Sequence, residues 1–176
     1  MPWHRRGKPH GTPITRTMKE PSMKRLLFAI FVVFGAPCSA DSITGVASVI
    51  DGDTIEVQGM RIRLEAIDAI ESGQTCTLPG GKQWRCAKDS AFALSDKIGR
   101  KQVSCRVSDK DRYGRYVATC YSGDTDLNAW MVRNGWAVSY RKYGTQYVGQ
   151  ETRARAEGLG IWASQFAMPW EWRQAN

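Results

Sequence analysis

The chain reads as an α+β domain in which five short, mostly antiparallel strands suit a small closed barrel and three helices are inserted late. Three observations predict this. Strand-like segments crowd the interval from Ile43 to Ile67, broken by Asp and Gly at the turns. Helical spacing first appears at Ala87, after a loop containing Gly, Thr and Pro. Beyond it, Gln102 to Val107 and Tyr116 to Tyr121 alternate like the two arms of a hairpin.

Taken in order, the first strands are Ile43 to Ile50, Thr54 to Gln58 and Arg61 to Ile67, with Gly59 in a tight turn between the last two. A loop follows from Ser72 to Arg85. The first helix runs from Ala87 to about Ile98, because Ala87, Ala91, Leu94 and Ile98 recur at helical spacing and Gly99 is placed to end it. The hairpin carries Arg112, Tyr113, Gly114 and Arg115 in its loop. A second helix, Leu127 to Asn134, stops at Gly135, and Trp136 to Tyr140 forms a short strand. The third helix runs from about Val148 to Gly158. Residues 41–164 form the domain, and the Trp-rich tail, residues 165–176, is expected to pack back on it after Trp162.

Residues 1–40 read as an N-terminal extension and a signal peptide. Met23-Lys24-Arg25 precedes an apolar run from Leu26 to Phe34, too short to span a bilayer of roughly 30 Å. Cys38-Ser39-Ala40 offers small residues for cleavage before Asp41. The expectation is an exported protein, periplasmic or secreted, a monomer with no stable membrane insertion once the leader is gone. The whole chain carries 25 Lys and Arg against 17 Asp and Glu. Without the leader the balance is 18 against 16, so most of the +8 formal charge belongs to the leader. A local excess persists from Lys82 to Arg115, ten basic residues against four acidic, enough to hold a polyanion nearby.

Both histidines, His4 and His10, also fall in the leader. The remaining chain therefore excludes imidazole as base, acid or metal ligand, and with it the Ser-His-Asp triad. Of five cysteines, Cys76, Cys86, Cys105 and Cys120 lie beyond the leader, and an even number in an exported chain reads as disulfides. The favoured pairing is Cys76 with Cys86, closing a loop, and Cys105 with Cys120, joining two strands. A four-thiolate metal site is the competitor, without any Cys-x-x-Cys spacing to support it.

Three islands carry the chemistry: Asp51-Gly52-Asp53-Thr54, then Arg63 through Asp68-Ala69-Ile70-Glu71, and Asp111-Arg112-Tyr113-Gly114-Arg115. They supply oxygen ligands for a hard cation, a further carboxylate for a base and two arginines for a phosphate. These are the parts of metal-assisted phosphodiester cleavage. Each island has a plainer reading: Asp51-Gly52-Asp53 as a turn, Glu71 as a solvated loop carboxylate, and each arginine as a surface ion pair.

In this order, over roughly Ile43 to Ser164, the islands and the closing Ile161-Trp162 resemble the thermonuclease family, the staphylococcal nuclease-like domain. The resemblance implies a five-stranded OB-type β-barrel with three helices. It implies Asp53 and Asp68 as calcium-binding carboxylates and the main-chain carbonyl of Ala69 as a further ligand. So few charges give a bare site with a dissociation constant on the order of 10⁻⁴ to 10⁻³ M. Glu71 becomes the general base, while Arg63 and Arg115 hold the phosphate and stabilise its growing charge. Tyr113 matches a nucleotide-contacting position. Arg112 and Tyr140 are further substrate-binding candidates, although Tyr140 equally suits core packing. The implied activity is calcium-dependent hydrolysis of DNA and RNA with little sequence preference, leaving 3′-phosphates. Two alternatives stand beside it: a non-catalytic barrel binding nucleic acid or protein, and an exported protein of envelope polysaccharide metabolism, which leaves both arginines unexplained.

One departure and one geometric problem stand out. Ile70 occupies a place where the family usually has proline, and Ile70→Pro is expected to raise activity or tighten calcium by fixing the backbone before Glu71. Arg63 and Asp68 are an odd number of residues apart, so a straight strand points them to opposite faces. The chain must bend or end before Asp68 if both are to meet one phosphate.

Overall fold

The computed structural model describes residues 41–176, and the leader expectations lie outside them. Strands β1 (Ser42–Asp51), β2 (Thr54–Val57) and β3 (Met60–Leu64) form an antiparallel meander. The second turn is a two-residue hairpin in which both Gln58 (φ 52°) and Gly59 (φ 75°) are left-handed, the geometry that matches strand twist. Short β4 (Ile67–Ala69), β5 (Cys76–Thr77) and β6 (Gln83–Trp84) follow, the last two as a ribbon within the loop. Next come helix α1 (Cys86–Ile98), the hairpin β7 (Gln102–Lys110) and β8 (Tyr116–Ser122), and β9 (Thr125–Asp126). The chain continues through α2 (Leu127–Arg133), β10 (Ala137–Ser139), α3 (Val148–Ala156), a 3-10 turn at Gly160–Ala163 and α4 (Pro169–Ala175).

Five strands close the barrel in the order β3, β2, β1, β7, β8, and β8 pairs back in parallel on β3 through Ile62 with Tyr116, Arg63 with Val117 and Leu64 with Ala118. Closure leaves these strands no free edge. The inward residues Ile55, Val57, Ile62, Leu64, Val103 and Ala118 share one core with Leu94 and Ile98 of α1 and Leu127 and Met131 of α2. This is the expected OB-type α+β fold with its three helices, to which the tail adds a fourth.

Both expected disulfides are present. Cys76–Cys86 ties β5 to the start of α1, and Cys105–Cys120 joins directly opposed residues of β7 and β8. All four cysteines are thereby spent, which removes the thiolate metal site.

The strand expected from Arg61 to Ile67 is not continuous. It ends at Leu64, and Ala66 is left-handed at φ 59°, which turns β4 out of the barrel to pair with β10. An alanine in that conformation costs about 1–2 kcal/mol. Asn128 offsets it: fully buried on α2, it donates to the carbonyls of Glu65 (3.0 Å) and Ala118 (3.2 Å) and accepts from the Cys120 amide (3.1 Å).

The tail packs back, as expected, and is knitted in by hydrogen bonds. Thr77 and Gln165 exchange two backbone bonds of 2.8 Å, and Gln74 Nε2 donates to the Ala167 carbonyl. A second apolar cluster, comprising Ile70, Cys76, Cys86, Ala87, Val138 and Ile161, is covered by Trp84, Trp162, Phe166, Met168 and Trp170. Pro169 begins α4, and Glu171 accepts from the Met168 amide, satisfying a donor at the helix start. No helix among the described residues is long and apolar enough to cross a membrane.

Candidate active site

The floor of the site begins at the β1–β2 turn. Asp51 Oδ1 accepts from the Asp53 amide at 3.0 Å, so the Asp-Gly-Asp segment is indeed a turn, and the same turn aims the Asp53 carboxylate inward. Gly52 is required by close packing: a Cβ there would sit 2.1 Å from Ser90 Oγ and 2.7 Å from the Ala69 Cβ. The buried Asp53 carboxylate accepts from Thr54 Oγ1 (2.9 Å) and Arg63 Nη1 (3.1 Å) at Oδ1, and from the Ala69 amide (3.1 Å) at Oδ2.

Across this floor Arg63 reaches from β3 to Asp68 on β4, with Nη2 2.8 Å from Asp68 Oδ1. The corner at Ala66 makes this contact possible, resolving the odd spacing. Arg63 thus spends both terminal nitrogens on carboxylates. Asp68 exposes no surface, and its remaining oxygen is taken by a residue from the tail: Arg173 donates through Nη2 to Asp68 Oδ2 (2.8 Å) and through Nη1 to Asp68 Oδ1 (3.0 Å). The same Nη1 also bonds Glu71 Oε1.

The hairpin loop forms the opposite wall. Asp111 accepts from the amides of Tyr113 and Arg115 (2.9 Å each) and from Arg115 Nε (2.8 Å). Holding Arg115 by Nε orients the guanidinium while its two terminal nitrogens make no protein hydrogen bond among the described residues. Partial burial works against the Asp111 charge, but these bonds together hold its carboxyl below the usual range. Tyr113 is exposed, with Arg112 over its ring at 4.8 Å and bonded to its hydroxyl at 2.7 Å. Tyr140 is half-buried: Trp170 stacks parallel to it at 5.4 Å, and Tyr143 meets it edge-on at 5.0 Å.

An open cleft of about 1320 Å³ gathers these groups. Asp53, Arg63, Ala69, Glu71, Arg112, Tyr113, Arg115 and Tyr140, all candidates from the sequence, line it together with Arg173. Of the nine expected residues Asp68 alone is withheld, lying beneath the two guanidiniums. Arg173 was missed, although Pro169 and Glu171 signal a helix start that would have placed it on an ordered element.

Electrostatically, four carboxylates (Asp51, Asp53, Asp68, Glu71) face two guanidiniums (Arg63, Arg173), a formal excess of two negative charges. Burial pushes the Asp53 carboxyl up, with the Asp51 charge adding to it and Arg63 opposing. For Arg63, burial alone would lower the pKa, but the charges of Asp53 and Asp68 outweigh it and raise it. Arg173 is likewise held above its ordinary value, chiefly by the hydrogen bond to Asp68. The charge excess and an oxygen-only donor set fit a hard dication such as calcium. Among the described residues no three His, Cys, Asp or Glu side chains form a ready-made metal cluster. A cation drawing on Asp68 has to share its oxygens with both arginines.

Comparison with known proteins agrees with the geometry. Residues 61–164 match the family described as Staphylococcal nuclease homologue. Micrococcal nuclease of Shigella flexneri is 35% identical over 173 residues, covering 88% of this chain and 94% of that protein. Succinoglycan biosynthesis protein ExoI of Rhizobium meliloti (strain 1021) is 40% identical over 130 residues, 72% of this chain and 68% of that protein. An uncharacterized endonuclease of Haemophilus influenzae is 32% identical over 157 residues, 84% and 82% respectively. The chain belongs to the staphylococcal nuclease family.

Proposed function

We propose that the protein is an exported, monomeric, calcium-dependent nuclease that hydrolyses phosphodiester bonds of DNA and RNA with little sequence preference. The observation that carries this reading is the single cleft in which Asp53 and Ala69 lie on the floor while Glu71 and Arg115 face the same space. Family membership and the nuclease relatives support the reaction class, and the two disulfides support export.

In this mechanism Asp53, Asp68 and the Ala69 carbonyl would hold calcium, which would supply charge neutralisation and polarisation of the phosphate. Glu71 accepts a proton from the attacking water. Arg115, oriented by Asp111, donates to the phosphate oxygens as their charge grows, and Arg63 keeps the two acids together while facing the same anion. The water oxygen bonds to phosphorus as the bond to the 5′ oxygen breaks, leaving a 3′-phosphate and a 5′-hydroxyl whose oxygen takes a proton from solvent. Tyr113 and Arg112 offer a stacking face and a positive charge to the strand, neither selective for a base. Trp170 covers one face of Tyr140, which leaves less of that ring for the strand.

Degradation of plasmid DNA and of RNA, with calcium, with EGTA and for Glu71→Gln, tests the proposal. Cleavage is expected with calcium and absent with EGTA, and Glu71→Gln should lose about 10² to 10⁴ in rate. Calcium-independent binding without cleavage would instead establish a binding barrel. A second reading, action on envelope polysaccharide, draws on the 40% identical succinoglycan biosynthesis relative. Sugar release without loss of nucleic acid would establish that one.

A further inference from the structure

We propose that Arg173 is a positioning residue of this site, clamping Glu71 against Asp68, so that the tail helix takes over the backbone restraint a proline at position 70 would provide. The inference rests on the nuclease reading for the role of Glu71. Arg173 is the only side chain among the described residues that hydrogen-bonds the Glu71 carboxylate. Its fork spans two acids, because Nη1 is shared between Asp68 and Glu71 while Nη2 is fixed on Asp68 Oδ2. Glu71 itself lies in an irregular turn, supported by its carbonyl accepting from the Gln74 amide (2.8 Å) and its amide donating weakly to Gln74 Oε1 (3.4 Å). Without Arg173 no hydrogen bond among the described residues fixes that carboxylate.

Helix α4 is built to deliver this contact. Trp170 stacks on Tyr140 on one side of Arg173. On the other, the Trp172 ring lies so close to Gly73 that a Cβ there would be 3.3 Å away. Ile70, only 2% exposed, is buried in the cluster that the tail covers. The acid step is therefore fixed from two directions, at Ile70 by packing and at Glu71 by a charge-assisted hydrogen bond. Arg173 takes Glu71 Oε1, and Oε2 accepts no protein hydrogen bond among the described residues, which leaves it for a water in the cleft. A carboxylate oxygen has two acceptor sites, so Asp68 Oδ2 keeps one unfilled beside Arg173, while the carboxylate itself exposes no surface.

The test compares wild type, Arg173→Ala, Arg173→Lys, Glu71→Gln and the Arg173→Ala/Glu71→Gln double variant of the full chain, assayed on a single-stranded DNA oligonucleotide. Arg173→Ala should lower kcat by about 10- to 100-fold, with KM changed less than about twofold. Arg173→Lys should recover part of this, since an ammonium reaches one acid but lacks the fork. If Arg173 acts through Glu71, its removal has no further effect on kcat in the Glu71→Gln background. Additive losses would overturn the proposal and make Arg173 an independent phosphate ligand. Higher kcat together with tighter calcium binding by titration calorimetry in Arg173→Ala would also overturn it, since the arginine would then be competing with the cation. A wild-type chain that cleaves no nucleic acid defeats the nuclease reading, and the clamp is still read from urea unfolding of the same four-variant cycle. There a coupling of at least about twofold in the unfolding constant is expected between Arg173 and Glu71, and none would refute the clamp.

Discussion

Arg63 Nη2 donates to Asp68 Oδ1 over 2.8 Å because the chain between them turns at Ala66, and Asn128 holds that turn from α2. The residue that brings the two together is thus remote in sequence and absent from the cleft. Asn128→Ala leaves the Glu65 carbonyl and the Cys120 amide without this partner, while the Ala118 carbonyl keeps the Glu65 amide at 2.9 Å. At about 1–3 kcal/mol for each buried group left unsatisfied, a loss of about 3 kcal/mol is expected in urea unfolding, with a fall in cleavage as the corner relaxes. A change below about 1 kcal/mol would show that water replaces the side chain.

Ile70 has a packing role beside the backbone one. A proline there would restrain the backbone, but the isoleucine side chain is buried against the tail cluster. Ile70→Ala should cost about 2–4 kcal/mol, and Ile70→Pro should lower the urea midpoint as well, by losing part of the same packing. An unchanged or higher midpoint for the proline variant would restore the simpler view that position 70 matters through φ alone.

Asp111 organises the hairpin tip that presents Arg115. Asp111→Asn keeps an acceptor for the two backbone amides and loses the charge that orients the guanidinium. KM for an oligonucleotide should rise several-fold, with a small fall in unfolding temperature at neutral pH. The sign of the pH effect follows from a folded-state pKa held below the ordinary value of about 3.9. The Asp111 contribution to stability is complete above that value and disappears as pH falls through the lower folded one. The wild-type and Asp111→Asn stability curves should therefore converge in strong acid.

Calcium should also register as stability, without any turnover. With a dissociation constant on the order of 10⁻⁴ to 10⁻³ M, about 10 mM calcium should add roughly 1.4–2.7 kcal/mol to unfolding. Asp53→Asn should abolish the increment. A calcium-independent unfolding curve for wild type would remove Asp53 and Asp68 as ligands in the free protein.

Much of the barrel was legible in the chain because its strands alternate and its turns carry Gly and Asp, and the disulfide pairs follow from a loop and a hairpin that bring their ends together. The three islands were legible because charge and order mark them. The corner was not, since Ala66 carries no signal for a left-handed residue and Asn128 acts from 62 positions away on a different element. Arg173 was hidden for another reason. Read as residue types, Trp170 and Trp172 announce packing, and only the fold reveals that packing two tryptophans aims the arginine between them at Asp68 and Glu71.

The surplus of two negative charges on the floor has a consequence for the order of events. A phosphodiester strand brings one more negative charge with each nucleotide, so without a dication the floor opposes the same phosphates that Arg112 and Arg115 on the opposite wall attract. On the proposed calcium-dependent reading, a dication on the floor would relieve that opposition, and substrate affinity itself should rise with calcium concentration.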